Sequence, residues 1–139
     1  MATDVEKIMS DYLAARNAHD LEKVVNFFAD DAAYEDMATG KISRGKNEIK
    51  GFLNTIFLDF PDIKVETKSG FSSGEQVVRE WVMSGTFTKS STPGVEATGK
   101  SFSLRGASVS EFREGKISRI TDYWNMVALL QQVGLMPSQ

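Results

Sequence analysis

The chain changes its hydrophobic period near Ile63. Before that point helical spacing dominates, and after it apolar and polar residues alternate. Val5, Ile8, Met9, Tyr12, Leu13 and Arg16 recur at helical spacing, with Thr3 and Glu6 forming a capping box ahead of them, which predicts a first helix running to Ala18. After the break at Asn17-Ala18-His19, Asp20 caps a short second helix whose apolar face holds Leu21, Val24, Val25, Phe27 and Phe28, and Asp30-Asp31 closes it as a solvated turn. Ala32 to Met37 alternates as a short strand, with Tyr34 and Asp36 on one face and Ala33 and Glu35 on the other. Thr39-Gly40 and Ser43-Arg44-Gly45 read as loop. A third helix runs from about Lys46 to Leu58 on a stripe of Ile49, Phe52, Leu53, Ile56 and Phe57, and Pro61 stops it.

Four alternating runs follow: Ile63 to Thr67, Gln76 to Thr88, Lys100 to Arg113 and Ile117 to Asn125. The turn pairs Ser73-Gly74, Pro93-Gly94 and Glu114-Gly115 stand between them. A short amphipathic helix, Met126 to Leu135, ends at Gly134 and Pro137. Helices first and a strand meander afterwards predict the α+β class, in one domain over residues 1–139. Three N-terminal helices would pack on a curved, mostly antiparallel sheet as a cone-shaped half-barrel. A long twisted sheet that curls round a helix without closing leaves a pocket on its concave side.

Composition narrows what such a pocket can do. At 139 residues with 41% apolar and 25% charged residues, the chain can bury a substantial core. The net charge of −3 comes from acids and bases mixed along the length, with no basic stripe, which argues against nucleic acid or an anionic membrane as partner. With no cysteine and a single histidine, His19, thiol chemistry is absent and a multi-histidine metal site is not expected. His19 reads as a solvent-side residue at a helix end. No cofactor motif occurs, and no basic or apolar leader precedes Val5, so a cytoplasmic location is the expectation.

The inward strand faces carry the candidate chemistry. Alternation puts Ile120, Asp122 and Trp124 on one face of the last strand, so Asp122 is an acid among apolar neighbours, where burial disfavours its charged form unless a cation compensates. It is the first choice for acid/base work. On the strand from Val77 to Met83, the face of Val77, Arg79, Trp81 and Met83 holds one anomaly, Arg79. A buried arginine needs an anion, and Asp122 or Asp36 could supply it, either as a polarised acid/base pair or as a structural ion pair. Tyr12 and Tyr34 are candidates for holding ligand oxygens. Asp36 has two readings, a pocket acid or a cap for the loop at Thr39 and Gly40. Trp81, Trp124, Ser110, Phe112, Phe52 and Ile120 read as pocket wall or as plain core.

Several strings add a resemblance. They are Asp11-Tyr12-Leu13-Ala14-Ala15-Arg16-Asn17-Ala18-His19-Asp20-Leu21, Phe28-Ala29-Asp30-Asp31-Ala32, Gly115-Lys116-Ile117 with Thr121-Asp122-Tyr123-Trp124-Asn125, and Leu129-Leu130-Gln131-Gln132-Val133-Gly134-Leu135. In these and in element order the chain resembles the nuclear transport factor 2-like superfamily, and within it the SnoaL-like polyketide cyclases. The resemblance implies an acid/base role for Asp122 in aldol ring closure, without a cofactor. Ketosteroid isomerases, also similar, would match Tyr12 and Asp36, with Ser110 where they carry a further acid. Limonene epoxide hydrolases would match Arg79 and Asp122, with Trp81 where they carry a second acid. Three readings follow: a cofactor-independent cyclase or isomerase (or an epoxide hydrolase) acting on an apolar, oxygen-bearing molecule; a non-catalytic carrier of such a molecule; or an interaction domain. The resemblance also implies a homodimer through the outer sheet face of Arg105, Ala107, Val109, Glu111, Arg119, Thr121 and Tyr123.

Overall fold

The structure is a computed structural model that describes residues 4–137. Its elements are α1 (Val5–Asn17), α2 (Leu21–Val25), β1 (Phe28–Asp36), β2 (Lys41–Arg44), α3 (Gly45–Asp59), β3 (Lys64–Ser73), β4 (Gln76–Thr86), β5 (Ser101–Arg113), β6 (Lys116–Trp124) and α4 (Met126–Gln132). The class is α+β, with a six-stranded sheet in the order β2-β1-β6-β5-β4-β3. Every neighbouring pair is antiparallel except β1 with β6. Asp4 caps α1, its side chain accepting from the Lys7 N–H. Thr3, the cap expected from sequence, lies outside the described residues. Asp20 caps α2 as expected, and Asn125 caps α4.

Where local pattern and structure part, long-range pairing decides. Phe27 and Phe28 are not on α2. The Ile117 N–H donates to the Phe27 carbonyl and Phe28 pairs with Ile117, so the chain enters the sheet four residues before Ala32. Asp30 and Asp31 consequently sit in β1, exposed and paired with Lys46 and Arg113. Residues 41–44 form a strand rather than a loop because β1 offers them an open edge. β3 continues past Thr67 to Ser73 because the tight turn at Gly74, which has a positive φ, zips it onto β4.

Irregularities in register at Thr67/Ser69 and at Glu111/Phe112 bend the long strands, and the sheet wraps round the helices. α1 lies over β3 and β4, α3 over β1 and β2, and α4 over β5. Tyr12, Phe28, Tyr34, Ile49, Leu53, Ile117 and Ile120 are sealed between helices and sheet, each such side chain contributing roughly 1.5–3 kcal/mol of burial. His19 departs from its solvent-side reading. Its ring stacks on Phe57 at 4.3 Å and its Nε2 lies 2.8 Å from the Ile63 carbonyl, tying the α1–α2 corner to the start of β3. Among the described residues no helix is long and apolar enough to cross a membrane.

Candidate functional site

Strand register builds a polar row across the concave face. Arg79 on β4 pairs with Ser108 on β5, Ser108 with Asp122 on β6, and Asp122 with Asp36 on β1. Residues directly paired across strands point to the same side, so four polar side chains stand in line on an otherwise apolar surface. A second row, Trp81, Gly106 and Trp124, runs beside it. A Cβ on Gly106 would meet the Trp81 ring at 2.3 Å, so only glycine lets that indole lie flat across β5. On the other side run Val77, Ser110, Ile120 and Tyr34.

Above these rows lies a cavity of about 240 Å³. Leu13, Phe52, Ile56, Phe60, Met83, Phe102 and Leu129 supply much of its apolar wall, and Arg16, Asp36, Arg79, Ser108 and Asp122 its polar points. Of the residues singled out from sequence, Asp122, Arg79, Asp36, Trp81, Trp124 and Phe52 line it. Tyr12, Tyr34, Ser110, Phe112 and Ile120 do not. They are buried in the packing around it. Tyr12 packs edge-on against Phe27 and Phe28, and its hydroxyl accepts from Arg16 at 3.4 Å.

Asp122 is 9% exposed and is held by two converging donors. The Tyr34 hydroxyl donates to Oδ2, and the Ser108 hydroxyl donates to Oδ1 at 2.5 Å. Each hydroxyl is itself oriented from behind, Tyr34 by Arg16 Nη1 at 2.7 Å and Ser108 by Trp81 Nε1 at 2.8 Å. Each hydroxyl thus donates to one Asp122 oxygen while accepting from its own partner, so the acid is met by two oriented groups. The setting expected from sequence, an acid among apolar neighbours, is therefore a hydrogen-bonded one. The sequence pattern alone does not point to these supporting parts for Arg16, Tyr34 and Ser108. The position of Arg16 one helical turn after Tyr12 was the available signal for the first.

Asp36 combines both of its sequence readings. It caps the turn after β1, Oδ1 accepting from the Ala38 N–H at 3.1 Å, and it faces the cavity, where Trp124 Nε1 donates to the same oxygen at 2.9 Å. Burial pushes its carboxyl above the ordinary value, against those two hydrogen bonds.

Arg79 corrects the sequence expectation most sharply. Among the described residues it forms no ion pair, with Asp122, with Asp36 or with any other carboxylate. Its one hydrogen bond, from Nη1 to Thr67 Oγ1, is long at 3.4 Å, and its buried Nε–H has no acceptor. An arginine flanked by two acids, the epoxide-hydrolase arrangement, is accordingly not formed. No group of three or more His, Cys, Asp or Glu side chains able to hold a metal occurs among the described residues.

Against known proteins, the family model described as SnoaL-like polyketide cyclase matches residues 6–133. Among solved structures, IdmH, a putative polyketide cyclase from Streptomyces antibioticus, is similar with a TM-score of 0.81 at 24% identity over 95% of this chain and 99% of its own. A putative polyketide cyclase from Xanthomonas campestris gives 0.78 at 24% identity, over 93% and 96%. A protein from Catenulispora acidiphila with a ketosteroid isomerase-like fold, solved in complex with trimethylamine, gives 0.79 at 22% identity, over 96% and 95%. At these identities the likeness is one of fold.

Proposed function

The chain belongs to the SnoaL-like polyketide cyclase family, and from that premise we propose that it is a cofactor-independent enzyme that moves a proton on an apolar, oxygen-bearing small molecule, with Asp122 as the base. The observation that carries this reading is the fixed carboxylate itself. Asp122 stands on the cavity wall with each oxygen met by a hydroxyl that is itself held by a donor, Tyr34 by Arg16 and Ser108 by Trp81. A carboxyl group fixed in this way on the cavity wall supports a general-base role.

In this reading Asp122 takes a proton from the carbon beside a ligand carbonyl. The C–H electron pair becomes the enolate C=C bond, and the negative charge passes to oxygen. For aldol cyclisation the enolate carbon then attacks a second carbonyl of the same molecule, a C–C bond forms, and the new alkoxide recovers the proton from Asp122. For isomerisation Asp122 returns the proton to a different carbon. Tyr34, Ser108, Arg16 and Trp81 act as positioning residues. Tyr12, Ser110, Phe112 and Ile120 support the wall from behind.

Exchange of the C1 hydrogens of 2-tetralone in deuterated buffer, followed by NMR, tests the step common to both outcomes. Wild-type protein should speed the exchange above the buffer rate, and Asp122→Asn should remove about a hundredfold or more of that enhancement. Binding of tetralone with no enhancement would instead favour a non-catalytic carrier.

Assembly as a homodimer through the outer sheet face belongs to the same proposal. Tyr123 is exposed there beside the half-buried Ala107 and Val109, with the Arg119–Glu111 pair at 3.0 Å alongside, a mixed surface suited to self-contact. Thr121, expected on that face, is buried within it. A monomer mass by light scattering at micromolar concentration would remove the dimer.

A further inference from the structure

We infer that the central cavity takes an organic acid, and that Arg79 binds its anionic oxygen. The inference rests on the small-molecule reading of the cavity and adds the class of molecule. Arg79 is 5% exposed, and a guanidinium stays charged under all ordinary conditions. A buried charge of this kind is costly unless hydrogen bonds and a counter-charge compensate it. Of its five N–H donors, one is engaged among the described residues, through the long contact to Thr67, and the enclosed Nε–H has no partner among them.

Among the described residues none of its neighbours serves instead, since Arg79 makes no hydrogen bond to Ser108 or to Asp122. Ser108, beside it in the row, has turned its hydroxyl hydrogen to Asp122 and accepts from Trp81. Asp122 stands two strands away, about 10 Å between backbones at the usual strand spacing, and its oxygens already hold Tyr34 and Ser108. Thus Asp122 attracts Arg79 without touching it, while burial pushes the guanidinium below its ordinary value.

The cavity provides what the protein does not. A carboxylate, or an enolic oxygen acidic enough to ionise, can take charge-assisted hydrogen bonds from a guanidinium in the two-pronged manner arginine favours. With its acid end at Arg79, the apolar body of the ligand would lie along Phe60, Met83 and Trp124, and the carbons nearest the acid would point down the row toward Asp122. A second cavity between α1 and β3 also reaches Arg79, with Glu6 and Lys68 in its lining, but it lacks the wall of Phe60, Trp81, Phe102 and Trp124 that would hold the apolar body of the ligand.

Calorimetric titration at pH 7 with 2-naphthoate and its neutral counterpart 2-naphthamide tests the assignment. Wild-type protein should bind naphthoate about tenfold more tightly than naphthamide, the worth of one charge-assisted contact. Arg79→Met should erase that preference while leaving naphthamide affinity within about twofold, which also shows that the cavity is intact. Arg79→Lys should keep part of the preference. Asp122→Asn, which removes a negative charge from the same wall, should strengthen naphthoate binding and leave naphthamide unchanged. Equal affinity of wild type for the two compounds, or a preference that survives Arg79→Met, overturns the inference while the small-molecule reading stands. Failure of both compounds to bind any variant overturns both. Indifference of naphthoate affinity to Asp122→Asn would place the acid in the second cavity and likewise overturn the assignment.

Discussion

Arg16 and Arg79 reach the same cavity, one from a helix and one from the sheet, under nearly equal burial, 9% and 5% exposed, yet they meet opposite fates. Arg16, on helix α1, is absorbed into the protein. Its Nη1 donates to Tyr34, Tyr34 donates to Asp122, and the charge ends on a carboxylate one hydroxyl away. Arg79, on strand β4, stops at a long contact to Thr67. The difference separates two uses of buried charge. A cation answered inside the protein orients other groups, whereas one left unanswered is set to receive something from outside.

The largest expected effect comes from replacing each arginine by a methionine of similar reach. Arg16→Met strips the donor behind Tyr34 and should cost about 2–3 kcal/mol, as loss of a buried hydrogen bond to a charged group does. Arg79→Met removes an unanswered buried charge and should be neutral or stabilising by about 1 kcal/mol. Urea unfolding midpoints of the two variants and wild type measure both. Equal destabilisation would mean that Arg79 is answered within the protein after all, and the contrast between the two walls would disappear.

A smaller effect is expected where the network is held by shape instead of charge. Gly106→Ala would drive a methyl into the Trp81 ring, which must tilt and take its Nε1–H away from Ser108. Overpacking of this kind costs about 1–3 kcal/mol. The displacement should also show as a shift in tryptophan emission, and an unchanged spectrum with unchanged stability would mean that β5 moves and the indole stays.

Alternation alone placed Asp122, Trp124, Arg79 and Trp81 on inward faces, because a half-buried strand has a period of two and leaves little choice. The helical spacing of residues 5–16 and 46–58 likewise located α1 and α3. What alternation does not carry is which strand lies beside which. The parallel pairing of β1 with β6 sets Asp36 opposite Asp122 and brings Tyr34 within reach of it, although 88 residues separate Tyr34 from Asp122. The pairing of Arg79 with Ser108, and not with an acid, is likewise a matter of register between β4 and β5. Hence the candidate residues were legible one by one, while their partnerships were not. The clearest case is Arg79, whose need for an anion is evident from its type and place, and whose want of one appears only when the strands are aligned. Ser108 shows the converse, since nothing in a serine on an alternating strand distinguishes it until a carboxylate and an indole are set on either side.

The two acids of the row sharpen the contrast at the smallest scale, and pH reads it. Burial raises the Asp36 carboxyl above the ordinary aspartate value of 3.8, so the folded protein holds that proton more firmly than the unfolded chain does. Ionised Asp36 therefore works against folding at pH values above its folded-state titration. The penalty shrinks as pH falls through that titration and is gone below about 3.8, where both states are protonated. Asp36→Asn removes the charge while keeping an Oδ1 to accept from Trp124 Nε1 and the Ala38 N–H. Those bonds weaken when their acceptor is neutral, but the upward direction at Asp36 shows that burial outweighs them. The variant should consequently unfold at a slightly higher temperature than wild type at pH 7, with the gain declining toward zero at acid pH. A gain that stays constant with pH would assign it to packing. A loss at pH 7 would mean that the Asp36 carboxylate is held by its donors more strongly than burial opposes it.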